Sequence, residues 1–391
     1  MTSRYTTGGS SSRRRLAAAL IAGFFFSILA QQADAADGQG AKYYGDFRYR
    51  FEQDWDSDKT NGSQRDDRSR LRYRLRFGFN YQWDDHFSFG GRLRSGNPAD
   101  QQSPHITLGN EFEPADINID KAFLKGNYGS SWWWVGKNSL PFWKQNEMFW
   151  DDDVTAEGLA LGRSFAAGNK LKLKATAGYF IVGHSGMAFS DDATMTAAQV
   201  ALEGLNLGTA ALKLASGYYL LSDIPDQNDG TATSVVDYKL LVSGAQLGLK
   251  GGLPLTLGLD FMLNTEDYAD HPTIGGSNLE DETTGFVVSV KYGSLNARGD
   301  TQFRYYFASI GKYAVVDYFA QDDWVRWNYS GASGARSSNF QGHELRCAYA
   351  FGPKFNAVAR LYLVEAKEKK SAGDLALESG NRFRLDFNIG F

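Results

Sequence analysis

The last ten residues, Arg382 to Phe391, alternate without a break. Phe383, Leu385, Phe387, Ile389 and Phe391 fall on one face of an extended strand. Arg382, Arg384, Asp386 and Asn388 fall on the other, because strand side chains alternate with period two. Aromatics on one side and charges on the other, ending in a terminal Phe, suit a membrane β-barrel with a polar lumen. A soluble β-protein usually keeps its apolar face inward.

The other end of the chain agrees. Arg13, Arg14 and Arg15 precede an apolar run from Leu16 to Leu29, and Ala33-Asp34-Ala35 forms an A-x-A cleavage pattern. The spacing predicts a secretory signal peptide over 1–35, cut after Ala35 (Ala36 is the next choice), and a barrel domain over 36–391. The run is too short for a spanning helix, and no later segment offers about 20 consecutive apolar residues. The expected leader carries Arg4, Arg13, Arg14, Arg15 and Asp34, net +3, so the formal charge of −4 becomes about −7 without it. That charge argues against nucleic acid as a partner. Mean hydropathy is −0.40 although aromatics reach 14%, the averaged profile of strands that face lipid and water alternately. The single Cys347 excludes an internal disulfide framework, and its parity faces lipid.

Alternation recurs along the mature chain and predicts sixteen strands. The clearest is Arg70 to Trp83, with Leu71, Tyr73, Leu75, Phe77, Phe79 and Tyr81 opposite Arg70, Arg72, Arg74 and Arg76. The others are expected near 42–52, 86–95, 116–127, 131–137, 155–164, 170–182, 194–204, 207–220, 235–248, 253–264, 284–293, 300–310, 338–350, 355–365 and 380–391. Connections after odd strands are long: 53–69, 96–115, 138–154, 183–193, 221–234, 265–283, 311–337 and 366–379. Those after even strands are short, such as Asp84-Asp85, Phe165 to Asn169 and Gly251-Gly252. This rhythm makes the strand number even and puts both termini on the periplasmic side. The expected fold is therefore an all-β, antiparallel up-and-down transmembrane barrel of about 16 strands. Sixteen strands are wide enough for an aqueous channel. Tyr43, Trp83, Trp132, Trp134, Phe351 and Phe391, near strand ends, are expected to form interfacial girdles.

Inward parity assembles a basic wall. It comprises Arg48 and Arg50, Arg70, Arg72, Arg74 and Arg76, then Arg92 and Arg94. Arg304, Arg346, Arg360, Arg382 and Arg384 join it once the last strand lies beside the first. Inward acids such as Asp46, Glu52, Glu344 and Asp386 can pair with some of these arginines, but the clustering exceeds what pairing needs. The third long loop combines Pro141, Trp150 and other aromatics with Asp151, Asp152 and Asp153, followed by Glu157. It is expected to fold into the barrel as a constriction, its acids facing the arginines across water, a field that filters solutes by charge.

At this loop the chain resembles a known family. Gly136-Lys137-Asn138, Leu140-Pro141-Phe142, Trp150-Asp151-Asp152-Asp153 and Glu157-Gly158-Leu159 are similar to the hallmark region of the bacterial "putative porin" family. Lys137 stands where an Arg is commoner. The resemblance implies an outer-membrane channel, and with the charged lining the expectation is passive diffusion of small hydrophilic, anionic solutes; no motif supports an enzyme. Alginate-export-type barrels are a more distant likeness, and export of an anionic polysaccharide is the alternative. Analogy with porins of this strand number implies a homotrimer. The ending at Phe391 resembles the signal read by the barrel-assembly machinery. Outer-membrane lipid and lipopolysaccharide are the expected surroundings.

No cofactor is expected. Asp54, Asp56 and Asp58 begin like a calcium loop, but Lys59 replaces the turn Gly and Arg65 the closing Glu, so a hydrated acidic loop is the preferred reading. His86, His105, His184, His271 and His343 are scattered without zinc-ligand spacing. Gly183-His184-Ser185-Gly186 lacks the spacing of a nucleophile elbow.

Overall fold

The computed structural model describes residues 40–166, 168, 170–225, 235–249, 254–327 and 338–391. The expected leader over 1–35 and the Gly251-Gly252 turn lie outside the described residues, as do parts of the connections expected at 165–169, 221–234 and 311–337.

Sixteen long strands follow one another. They are β1 (Gly40–Trp55), β2 (Arg68–Gln82), β3 (Phe87–Ser95), β4 (Ile117–Tyr128), β5 (Ser131–Ser139), β6 (Thr155–Ala166), β7 (Lys172–Gly183) and β8 (Ala193–Leu207). The second half comprises β9 (Ala210–Pro225), β10 (Val235–Leu249), β11 (Leu255–Asn264), β12 (Thr284–Gly293), β13 (Thr301–Ile310), β14 (Phe340–Gly352), β15 (Phe355–Ala366) and β16 (Ser379–Gly390). Each pairs antiparallel with the next, and β16 returns to β1 from Asp46↔Gly390 to Trp55↔Asn381. Closure leaves no edge strand, which is what a backbone in hydrocarbon requires. Every expected strand is present, with ends shifted by five residues at most. A two-residue segment, Ile106–Thr107, adds to β2 as an extra rung. Ser57–Asp58 and Gln64–Arg65 form a small hairpin in the first long loop.

The wall is a soluble core turned inside out. Leu71, Leu75, Leu159, Leu161, Leu257, Leu259 and Phe261 are all exposed on the outer face. On the inner face Arg50 and Arg384 are 1% exposed and Asp386 is fully buried. An apolar exterior of this kind is stable only against lipid. No helix among the described residues is long and apolar enough to cross a membrane.

Two of the expected girdle residues point the other way. Trp132 and Trp134 have inward parity, and Trp134 packs on Phe180 with ring centroids 5.9 Å apart. Trp133 takes the outward position between them, near Phe87.

The seam depends on Gly45. Phe391 donates its backbone N–H to the Gly45 carbonyl at 3.1 Å and lays its ring over that residue, near Phe77. A Cβ at position 45 would run into the Phe391 ring and the Arg76 carbonyl. Gly45→Val should therefore displace the terminal ring and destabilise the barrel by about 1–3 kcal/mol, the usual cost of overpacking. The check is the temperature at which the compact band is lost in detergent gels; an unshifted temperature would count against this role.

Candidate channel constriction

The inner wall has two halves. On β7 to β12 it is apolar, with Phe180, Met195, Tyr219, Leu221, Leu240, Met262 and Val287 all buried. From β13 through β16 and on to β3 it is basic. The third long loop, 140–154, docks on the apolar half. Phe142 meets Tyr219 edge-on at 5.2 Å, and Phe149 lies 4.7 Å from the same ring. Burial of each such ring contributes about 1.5–3 kcal/mol. Polar pins add to this: the Trp143 backbone N–H donates to Gln199 Oε1 at 2.7 Å, and Gln199 Nε2 donates back to the Trp143 carbonyl at 2.9 Å. Asn146 Nδ2 donates to Asp260 at 2.5 Å.

A second loop folds inward as well, which the sequence reading did not anticipate. Over 311–327, Tyr313, Ala314, Val315, Val316, Phe319, Trp324 and Trp327 are buried. The two loops meet where the Asp151 N–H donates to the Phe319 carbonyl at 2.7 Å and Trp150 lies 4.8 Å from the Phe319 ring. Gln102, from the loop after β3, ties in by donating to the carbonyls of Asp317 and Ala320.

Strand register explains how the arginines come together. Lys291, Arg304, Arg346, Arg360 and Arg384 are consecutive cross-strand partners on β12 to β16, and the row continues through Glu52 to Arg70. All have inward parity. Sequence separation between neighbours in this row reaches hundreds of residues, so the continuity is a property of closure.

The arginines are more fully paired than expected. Arg50 donates Nε to Asp386 at 2.6 Å, Arg382 to Asp54 at 2.6 Å and Arg384 to Glu52 at 2.6 Å. Arg70 also holds Glu52. Arg74 and Arg76 share Asp46 and Asp153, Arg92 holds Asp120 at 2.5 Å, and Arg346 grips Glu344 through two nitrogens. Arg360 reaches Asp323 at 3.1 Å. Arg94 donates to the carbonyls of Asp100 and Gln101, and Arg72 to Ser103 Oγ. Arg48 donates to Asn388 and Arg304 to Gln302; among the described residues neither has a carboxylate partner.

The loop acids divide. Asp153 is enclosed by Arg74 and Arg76, which hold its carboxyl down to about 2 against the effect of burial. Asp151 is buried, and desolvation with Glu147 beside it pushes its carboxyl well up. Asp152 is exposed and pairs with Lys144. Trp150 Nε1 donates to the Val154 carbonyl at 3.0 Å, closing the loop on itself beyond Pro141. Glu157 does not belong to this cluster. It sits on β6 with the outward parity of Leu159 and Leu161, exposed, and Lys137 holds it at 2.6 Å. Its sequence proximity to the triple Asp is undone by the strand that begins at Thr155.

The hydrated-loop reading does not hold for Asp54. It lies on β1, fully buried and taken by Arg68 and Arg382, while Asp58 bonds Ser379. No acid or histidine cluster among the described residues fits a metal ion. His184 and Ser185 both hydrogen-bond Asp192 rather than each other, so the serine has no base.

Wall and loops together enclose a polar cavity of about 310 Å³, lined by Arg48, Arg304, Tyr306, Glu147, Asp152 and Asp322 among others. Residues 52–241 match the model of the family described as "Putative porin". The fold is that of a porin-type barrel. OprB of Pseudomonas putida, in a high-pH structure, superposes with a TM-score of 0.55 at 12% identity, over 95% of this chain and 97% of that one. OmpF of Salmonella typhi, in complex with daunomycin, gives 0.54 at 11% identity, over 92% and 99%. At such identities the likeness is one of fold. No curated protein matches. The family match and the fold agree on a porin-like barrel of the outer-membrane kind.

Proposed function

We propose that the channel passes small hydrophilic solutes passively and favours anions. The observation that carries this is the one-sided lumen: the third long loop covers the apolar half, and the remaining polar gap lies against the arginines. A charged wall beside a narrow aqueous gap raises the local concentration of its counter-ion. The family match and the porin-like fold favour diffusion over the exporter reading. The long loops gather at one end of the barrel and the short turns at the other, which supports an outward-facing loop side and periplasmic termini. A homotrimer and recognition of the Phe391 strand by assembly machinery belong to the same proposal. Crosslinking of the detergent-extracted barrel tests the first, and outer-membrane yield after Phe391 deletion the second.

Planar-bilayer recording tests the channel itself. Steady conductance with a reversal potential displaced toward the anion is expected; a closed membrane or cation preference would count against the reading. The pH dependence is specific. Burial, with Asp323 alongside, pushes Asp322 up to about 8, so it is mostly neutral at pH 7. Raising the pH from 7 to 9 ionises it and adds a negative charge to the cavity, so anion preference should fall. The Asp322→Asn channel should lose that response, and a retained response would exclude Asp322 as its source.

A further inference from the structure

Most carboxylates on the arginine row belong to the wall, but one comes from a loop. Asp323, on the inward loop 311–327, lies 3.5 Å from Arg50 Nη1, 3.1 Å from Arg360 Nη1 and in contact with Arg384 Nη1. Tyr362 donates its hydroxyl to the same carboxylate at 3.4 Å. Three guanidiniums converging on one carboxylate make a preformed oxyanion seat. The wall acids in contact with these arginines, Asp386 and Glu52, are fully buried, whereas the Asp323 side chain is 14% exposed and lines the cavity. The loop acid is thus the accessible and exchangeable member of the cluster.

We propose that this seat is a binding station for carboxylate-bearing solutes, and that Asp323 is its resident competitor. A solute carboxylate takes the seat by displacing Asp323, which loosens the inward loop while the three arginines stay neutralised. This deepens the anion-channel reading and rests on it for the route by which the solute arrives. A tethered carboxylate competes at an effective concentration in the millimolar range or above, so binding to the native barrel should be weak.

Trp324 supplies the readout, since it neighbours Asp323 and packs on Phe340 and Tyr362 at 5.8 and 5.9 Å. The detergent-solubilised full chain is titrated with succinate and with its neutral diamide, and the Trp324→Phe signal is subtracted. A saturable emission change with succinate alone is expected. The Asp323→Asn barrel should bind at least tenfold more tightly, and Arg360→Gln should abolish the response. An unchanged Kd in Asp323→Asn, an equal response to the diamide, or a native response in Arg360→Gln overturns the proposal. If Asp323→Asn does not fold, the native barrel and Arg360→Gln decide by themselves. Bilayer recordings run in parallel separate the two readings. Anion-selective conductance without a succinate response removes the seat and leaves the channel. A succinate response without conductance removes the channel and leaves the seat.

Discussion

Arg50→Met should destabilise the barrel by about 3 kcal/mol, the cost of leaving a buried charge without its partner. Asp386 is fully buried and takes both Nε, at 2.6 Å, and Nη2, at 3.0 Å, from Arg50. With methionine there, its nearest remaining cation is Arg360 at 3.7 Å. The pair also spans β1 and β16, so its loss is felt where the cylinder closes. Arg48→Met is the control, because among the described residues Arg48 bonds the Asn388 amide and no carboxylate, so none is stranded. Midpoints of urea unfolding in detergent measure both, and equal midpoints would refute the distinction.

The second large effect concerns selectivity. Replacing Asp151, Asp152 and Asp153 together by Asn should raise the ratio of anion to cation permeability several-fold at pH 7. The contributions are unequal. Burial and the neighbouring Glu147 push Asp151 well up, so it contributes less charge than Asp153, which is held at about 2 and is ionised throughout the accessible range. Its loss also frees Arg74 and Arg76, which keep only Asp46. Asp152→Asn with Asp153→Asn should therefore reproduce most of the triple change. A reversal potential unmoved by either combination would place these acids outside the conduction path.

Much of this architecture is legible in the sequence, because a membrane barrel writes its two faces in strict alternation. Leu71, Leu75 and the arginines between them settle the parity of β2 without any tertiary information. Glu157 was readable by the same rule, since it shares the parity of Leu159; only its nearness to the triple Asp suggested otherwise. Trp134 is the same lesson in reverse. The loop at 311–327 carried a signal like that of the third loop, an apolar run followed by acids within a long connection. Tyr313, Val315, Val316 and Phe319 have nowhere to hide outside a barrel. What no local pattern reveals is who neutralises whom. Arg50 and Asp386 stand 336 residues apart, and Asp323 reaches its arginines only because a loop turns inward.

The row from Lys291 to Arg70 follows hydrogen bonds between strands rather than any single strand. Strands in such a wall lean by about 35–45° from the axis, so a line perpendicular to them winds like the thread of a screw. On the anion-channel reading proposed above, an ion following the row turns about the axis as it descends, and the conduit is thereby chiral over its length.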